Sequence, residues 1–92
     1  MPTQEEQLVM AGNEAGAVLS GSAFNSVINE LVERAFQTFV NSAPADKDTR
    51  EHAYSHYRAI VDVVDTLKQR VQVSQSIIEQ QNGDNSQEET AP

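Results

Sequence analysis

The sequence predicts an all-α fold built on an antiparallel helical hairpin, whose two helices span about 22–41 and 48–81. Apolar residues recur at alternating steps of three and four through both segments, which is the period of one helix face. Neither segment contains a glycine or a proline, and no pattern typical of a strand is evident. A weaker helix over about 4–19 is expected before the hairpin, and a disordered acidic tail after it.

The N-terminal helix has a clear start and a weak interior. Thr3 followed by Glu6 fits a capping box. Gly12 and Gly16 each lower the helix propensity by about 1 kcal/mol relative to alanine. Beside Ala11 and Ala15 these glycines form a small-residue face that another backbone could approach closely. Two interpretations stay open: a helix that frays or docks late, and a helix that packs closely through its small residues.

The second helix follows a break at Ser20–Ser22. We expect Gly21 to adopt the left-handed conformation after the first helix, and Ser22 to cap the second. Its apolar face then recurs through Phe24, Val27, Ile28, Leu31, Ala35 and Phe39. Glu30 and Arg34 have the favourable spacing for an ion pair on the opposite surface.

The turn and the third helix complete the hairpin. Pro44 stops the second helix, and Asp48 with Glu51 is expected to cap the third. A connection this short joins antiparallel neighbours. The register then places Phe36 near Tyr54. The seam of the third helix is Ala53, Tyr57, Ile60, Val64, Leu67, Val71 and Ile78, with Ser74 interrupting it.

The third helix is longer than the second by about a dozen residues, so part of its apolar face has no partner in the hairpin. That part comprises Val71, Val73, Ile77 and Ile78, and we predict that it is an interaction surface. Leaving such side chains in water forgoes roughly 1.5–3 kcal/mol each. The first helix, a second copy of the chain or an unrelated protein could cover them.

Length and charge limit the possible functions. The chain of 92 residues is one small helical domain, 1–81, followed by the tail, 82–92. The net charge is −8, and each of the ranges 1–20 and 82–92 holds three acidic residues and no basic one. A nucleic-acid-binding protein needs a basic stripe. Six Lys and Arg scattered among fourteen acids provide none, so direct nucleic-acid binding is not expected.

The sequence predicts no enzyme, no metal site, no cofactor and no small-molecule substrate. His52 and His56 have the i, i+4 spacing that can hold a metal, but the metalloprotease order, with Glu after the first His, is absent. We interpret them as surface histidines. Tyr54 and Tyr57 could form a binding platform, but aromatic residues on an apolar helix face favour a core role. No nucleophile set and no Gly-rich phosphate loop is recognisable.

The start of the chain has no basic segment, and no apolar run approaches the ~18 residues that a membrane span requires. We therefore expect no membrane association. The expected location is the cytoplasm.

Residues 17–80 resemble the small helical proteins that tailed bacteriophages encode among their virion and head-assembly genes. The likeness lies in the run Leu19-Ser-Gly-Ser-Ala-Phe24, in Arg50-Glu51 after an acidic turn, and in Tyr57, Ala59-Ile60 and Leu67. Members of that group mostly lack a defined activity. The resemblance therefore implies an origin and a class, and it transfers no functional residue. It also implies that the expected location is the host cytoplasm or the virion.

Two functional hypotheses follow. The first is a non-enzymatic structural or adaptor protein that acts through helix–helix association, with a homo-oligomer or another protein as partner, and that serves as a phage virion or assembly accessory. The alternative is an acidic regulator or inhibitor that occupies the basic surface of a nucleic-acid-processing protein. The charge of −8 motivates the alternative.

Overall fold

The computed structural model describes the backbone of residues 2–90 and the side chains of residues 2–83. Three helices make up this part of the chain: α1 (Gln4–Leu19), α2 (Ser22–Asn41) and α3 (Lys47–Thr90). The predicted all-α class is confirmed, and the described backbone contains no strand. The protein measures 73 × 26 × 23 Å. Its length is set by α3, since 44 helical residues extend about 66 Å.

α1 and α2 lie one after the other along α3, and both run antiparallel to it. At one end Glu5 Oε2 lies 3.5 Å from Gln81 Nε2. At the other, Arg50 Nη1 donates to the carbonyl oxygen of Ala43 at 2.7 Å. The molecule is thus a long hairpin in which one arm is broken at Ser20–Gly21. Of the three ways to cover the surplus length of α3, the structure shows the first: α1 packs on it.

α1 docks through its small residues. Gly12 and Ala15 are its buried positions. A Cβ at Gly12 would overlap Ser74 Cβ and would lie 2.7 Å from the carbonyl oxygen of Arg70. The backbone of α1 therefore touches α3 at Gly12, with no room for a side chain. Of the two interpretations of this helix, the structure shows close packing.

Ser74 is the counterpart of Gly12 on α3. It is only 4% exposed, although serine breaks the apolar seam at this position. Its hydroxyl lies 3.5 Å from the carbonyl oxygen of Val9, a long hydrogen bond. A larger side chain here would push α1 away, so the interruption of the seam marks the point of closest approach.

Local hydrogen bonds define the start of α1 and the break before α2. Thr3 accepts a hydrogen bond from Glu6 N at 3.1 Å, which confirms the predicted N-cap. The expectations for the break were wrong: Gly21 has φ −72° and ψ 129°, and Ser22 is the first residue of α2. Asn25 Nδ2 instead donates to the carbonyl oxygens of Leu19 and Gly21, at 2.7 and 2.9 Å. The end of α1 therefore needs no left-handed glycine.

The cap of α3 is Asp46, two residues before the predicted Asp48. Asp46 Oδ1 accepts from Thr49 N at 3.2 Å, and Oδ2 accepts from Thr49 Oγ1 at 2.6 Å. The side-chain hydrogen bond from Thr49, followed by the backbone bond and the charge of Arg50, lowers the pKa of Asp46. The prediction failed because it paired Asp48 with Glu51, whereas threonine supplies both donors for Asp46.

α3 continues to Thr90, past the predicted end near residue 81. Residues 79–83 are exposed, and a Cβ at Gly83 would meet no atom within 4 Å. At Gly83 the described helix therefore has no packing neighbour. The sequence predicts that the tail, 82–92, is disordered. The side chains of 84–92 lie outside the described residues.

The two glycines of α1 should respond oppositely to substitution by alanine. We expect Gly12→Ala to lower the free energy of unfolding by about 1–3 kcal/mol, because its methyl group must force α1 away from α3. At Gly16 a Cβ would meet only Val71 Cγ2, at 3.9 Å. Gly16→Ala should therefore raise stability by about 0.5–1 kcal/mol through helix propensity. Urea unfolding followed by circular dichroism measures both, and equal effects would contradict the packing described.

The Asp46 cap should make stability depend on pH. A carboxylate whose folded pKa is lowered stabilises the fold above its unfolded pKa and loses that effect as pH falls through the folded value. We expect Asp46→Ala to lower the melting temperature at neutral pH. The difference from the parent chain should begin to shrink near the unfolded pKa of about 4 and should disappear only as pH falls through the lowered folded pKa. The matched control is Asp48→Ala, which should cost less. A larger loss for Asp48→Ala would show that the cap is misassigned.

Candidate interaction surfaces

The protein buries very little apolar side chain. The buried apolar residues are three alanines, Ala15, Ala35 and Ala53, with 2%, 8% and 3% of their surface exposed. In the described part of the chain no large side chain is fully buried. The helices approach one another through small residues, so the large apolar side chains lie along the edges of the contact.

One edge of the α2–α3 contact is an open aromatic groove. Phe36 and Phe39 from α2 and Tyr54 and Tyr57 from α3 line it, with Ala35 and Ala53 at its floor. The groove encloses about 410 Å³. The four rings are 56%, 49%, 60% and 42% exposed, respectively. We call this surface, defined by the four rings, the aromatic groove.

The expectation that Tyr54 and Tyr57 belong to the core was wrong. On an ideal helix Tyr57 lies about 40° and Tyr54 about 100° around from Ala53. Since Ala53 occupies the contact with α2, both rings are turned toward the same edge. The predicted register is confirmed, because Phe36 and Tyr54 line one groove.

The opposite edge of the hairpin carries the two histidines. A groove of about 240 Å³ lies there between Leu31, Thr38, Ile60 and the two histidines. The rings of His52 and His56 are 5.6 Å apart and inclined at 52°. Within the described residues, no three His, Cys, Asp or Glu side chains come close enough together to hold a metal ion. The histidine pair lies on an exposed surface of mixed polarity.

The predicted interaction surface on α3 is partly covered by α1. Val71 packs beside Gly16, and Val71 and Ile77 are half-buried. Val73 and Ile78 remain 43% and 37% exposed. A role of these four residues in binding a partner stays a prediction, and Val73 and Ile78 are the two that a partner could reach most easily.

The charged side chains form exposed pairs within single helices. Arg34 lies 2.8 Å from Glu30, and Arg58 lies 3.8 Å from Asp62, with more than half of each side chain in solvent. Such pairs contribute at most about 1 kcal/mol. Over the described residues, no helix has the length and apolar character needed to cross a membrane.

No protein-family model, curated protein or solved structure matches this chain. The candidate surfaces must therefore be ranked by their own geometry. The aromatic groove ranks first because four large, roughly half-exposed aromatic rings lie together in it.

Sequence reasoning overlooked the aromatic groove, although a signal for it exists. Each arm of the hairpin has two aromatic residues three positions apart, Phe36 and Phe39 on α2 and Tyr54 and Tyr57 on α3. In both arms an alanine of the seam directly precedes the first aromatic residue. Small seam residues bring helices close together and exclude larger neighbours from the contact. Alanine beside aromatic pairs on both arms of a hairpin thus indicates an edge groove.

Proposed function

We propose that this chain is a non-enzymatic structural or adaptor protein that acts through helix–helix association. The observation that supports the proposal is the absence of any fully buried large side chain among the described residues, together with many exposed ones. Phe36, Phe39, Val40, Tyr54 and Met10 are each about half or more exposed. A monomer that leaves its main apolar faces in water has surface available for further helices.

The arrangement of the helices explains why more neighbours are needed. α1 and α2 each pack on α3 and have little contact with each other. Each therefore buries one narrow stripe, whereas the apolar face of α2 spans more than 100°. Fully burying a large apolar side chain contributes roughly 1.5–3 kcal/mol, so half-exposed rings leave several kcal/mol for association.

The resemblance to small phage virion and head-assembly proteins gives this proposal a biological setting. Proteins of that kind act in assemblies, where a thin rod with apolar edges could join larger components. As an accessory protein in such an assembly, the chain would need no catalytic centre. Mass spectrometry of purified phage particles that carry the gene would test this setting directly.

Association predicts a molar mass above the 10.1 kDa of one chain and a melting temperature that rises with protein concentration. Light scattering after size exclusion and thermal unfolding over about a hundredfold range of concentration measure both. The matched control is a chain that ends at Gln81. It should associate equally, because the exposed large apolar residues that the proposal invokes all lie before residue 82.

Two results would contradict the proposal together. The first is a 10.1 kDa monomer whose melting temperature does not depend on protein concentration. The second is that a dye that binds exposed apolar surface shows no increase in fluorescence when the protein is added. A loss of association on ending the chain at Gln81 would show that residues 82–92, and not the exposed apolar surface, drive association.

A further inference from the structure

We propose that the aromatic groove binds a second copy of this chain, with the two turns side by side and α2 of each copy packed on α3 of the other. The inference rests on the proposed association function and names the partner and the surface. The product is a four-helix bundle at the turn end, formed by two hairpins around a two-fold axis parallel to α3.

The size of the aromatic groove suits such a pair. Phe and Tyr side chains expose about 150–250 Å² when free, so four half-exposed rings offer on the order of 400 Å² per copy. Two copies then bury about 800 Å² through these rings alone. Stable interfaces bury about 1,200–2,000 Å² in total. The neighbouring Val32 and Val40, half-buried and 54% exposed, can supply much of the remainder.

The rim of the aromatic groove carries charges of opposite sign on its two helices. Glu33 lines the α2 side. It accepts from Gln37 at 3.0 Å and has no ion-pair partner among the described residues. On α3, Arg58 lies one turn after Tyr54 and is 51% exposed. Arg50 adjoins the same ring at the other end. Glu51 lies beside Arg50, and Arg58 is 3.8 Å from Asp62. The α2 rim is therefore acidic, and the α3 rim carries both arginines together with acidic neighbours.

The position of Glu33 relative to Arg58 favours one orientation of the second copy. Counting from the facing alanines Ala35 and Ala53, Glu33 is level with Ser55, about 4.5 Å along the axis from Arg58. With the turns side by side, α2 lies over the partner's α3, so Glu33 of each copy comes within one turn of Arg58 of the other. With the turns at opposite ends, α2 would lie over α2. Glu33 would then face its own counterpart, and Arg50 would approach Arg58, which is unfavourable.

Sedimentation equilibrium of the full chain tests this pairing. Phe36→Ser with Tyr54→Ser should raise the dimer dissociation constant about 100-fold, because central aromatic residues dominate interface energetics. Both rings are more than half exposed in the monomer, and circular dichroism should show unchanged helicity. The matched control is Val73→Ser with Ile78→Ser, about 24 Å or more along α3 from Tyr57. It should change the constant less than about threefold.

Charge reversal tests the orientation. Glu33→Arg alone and Arg58→Glu alone should each weaken the dimer about threefold to tenfold, and the two together should restore it. Lack of restoration would overturn the side-by-side arrangement. Association that survives the groove variant but is lost in the control would overturn the inference and leave the proposed function standing. A monomeric parent chain at all concentrations would also overturn it.

Discussion

The contact of small residues along α3 determines the shape of the whole molecule. Gly12 against Ser74 brings α1 close to one half of α3, and Ala35 against Ala53 brings α2 close to the other half. Close approach leaves no space for larger side chains between the helices. The stability of this rod therefore comes from many weak contacts along a narrow seam.

The same constraint explains why many large apolar side chains are exposed. Leu, Val, Phe and Tyr residues that belong to the helical stripes are displaced from the seam to its edges, where solvent reaches them. In a globular bundle a third or fourth helix would cover these edges. Here α1 and α2 share the length of α3 end to end, so the described residues contain no further helix that could cover these edges.

The sequence could predict the helices but only part of the way in which they pack. Apolar periodicity places α1 and α2 to within a residue or two, and the Thr3 cap and the hairpin register follow from local rules. The side that each residue presents to its neighbour depends on how closely the helices approach. Ser74 looks like a defect in the seam until Gly12 is known to face it, and Tyr54 looks like core until Ala53 is known to occupy the contact. The Asp46 cap was missed because two acidic residues lie near the helix start and the choice depends on Thr49.

The turn end is held more firmly than an exposed loop usually is, and this bears on the aromatic groove. Asp46 binds Thr49 through both carboxylate oxygens, and Arg50 binds the carbonyl oxygen of Ala43 across the turn. Tyr54 follows Arg50 by one helical turn, so the contacts that fix the start of α3 also position the α3 wall of the groove. Walls that are ordered before binding lose less conformational entropy on association. A groove built beside a tied turn is therefore better suited to binding another helix than equally apolar residues near the end of α3, where residues 79–83 are all exposed.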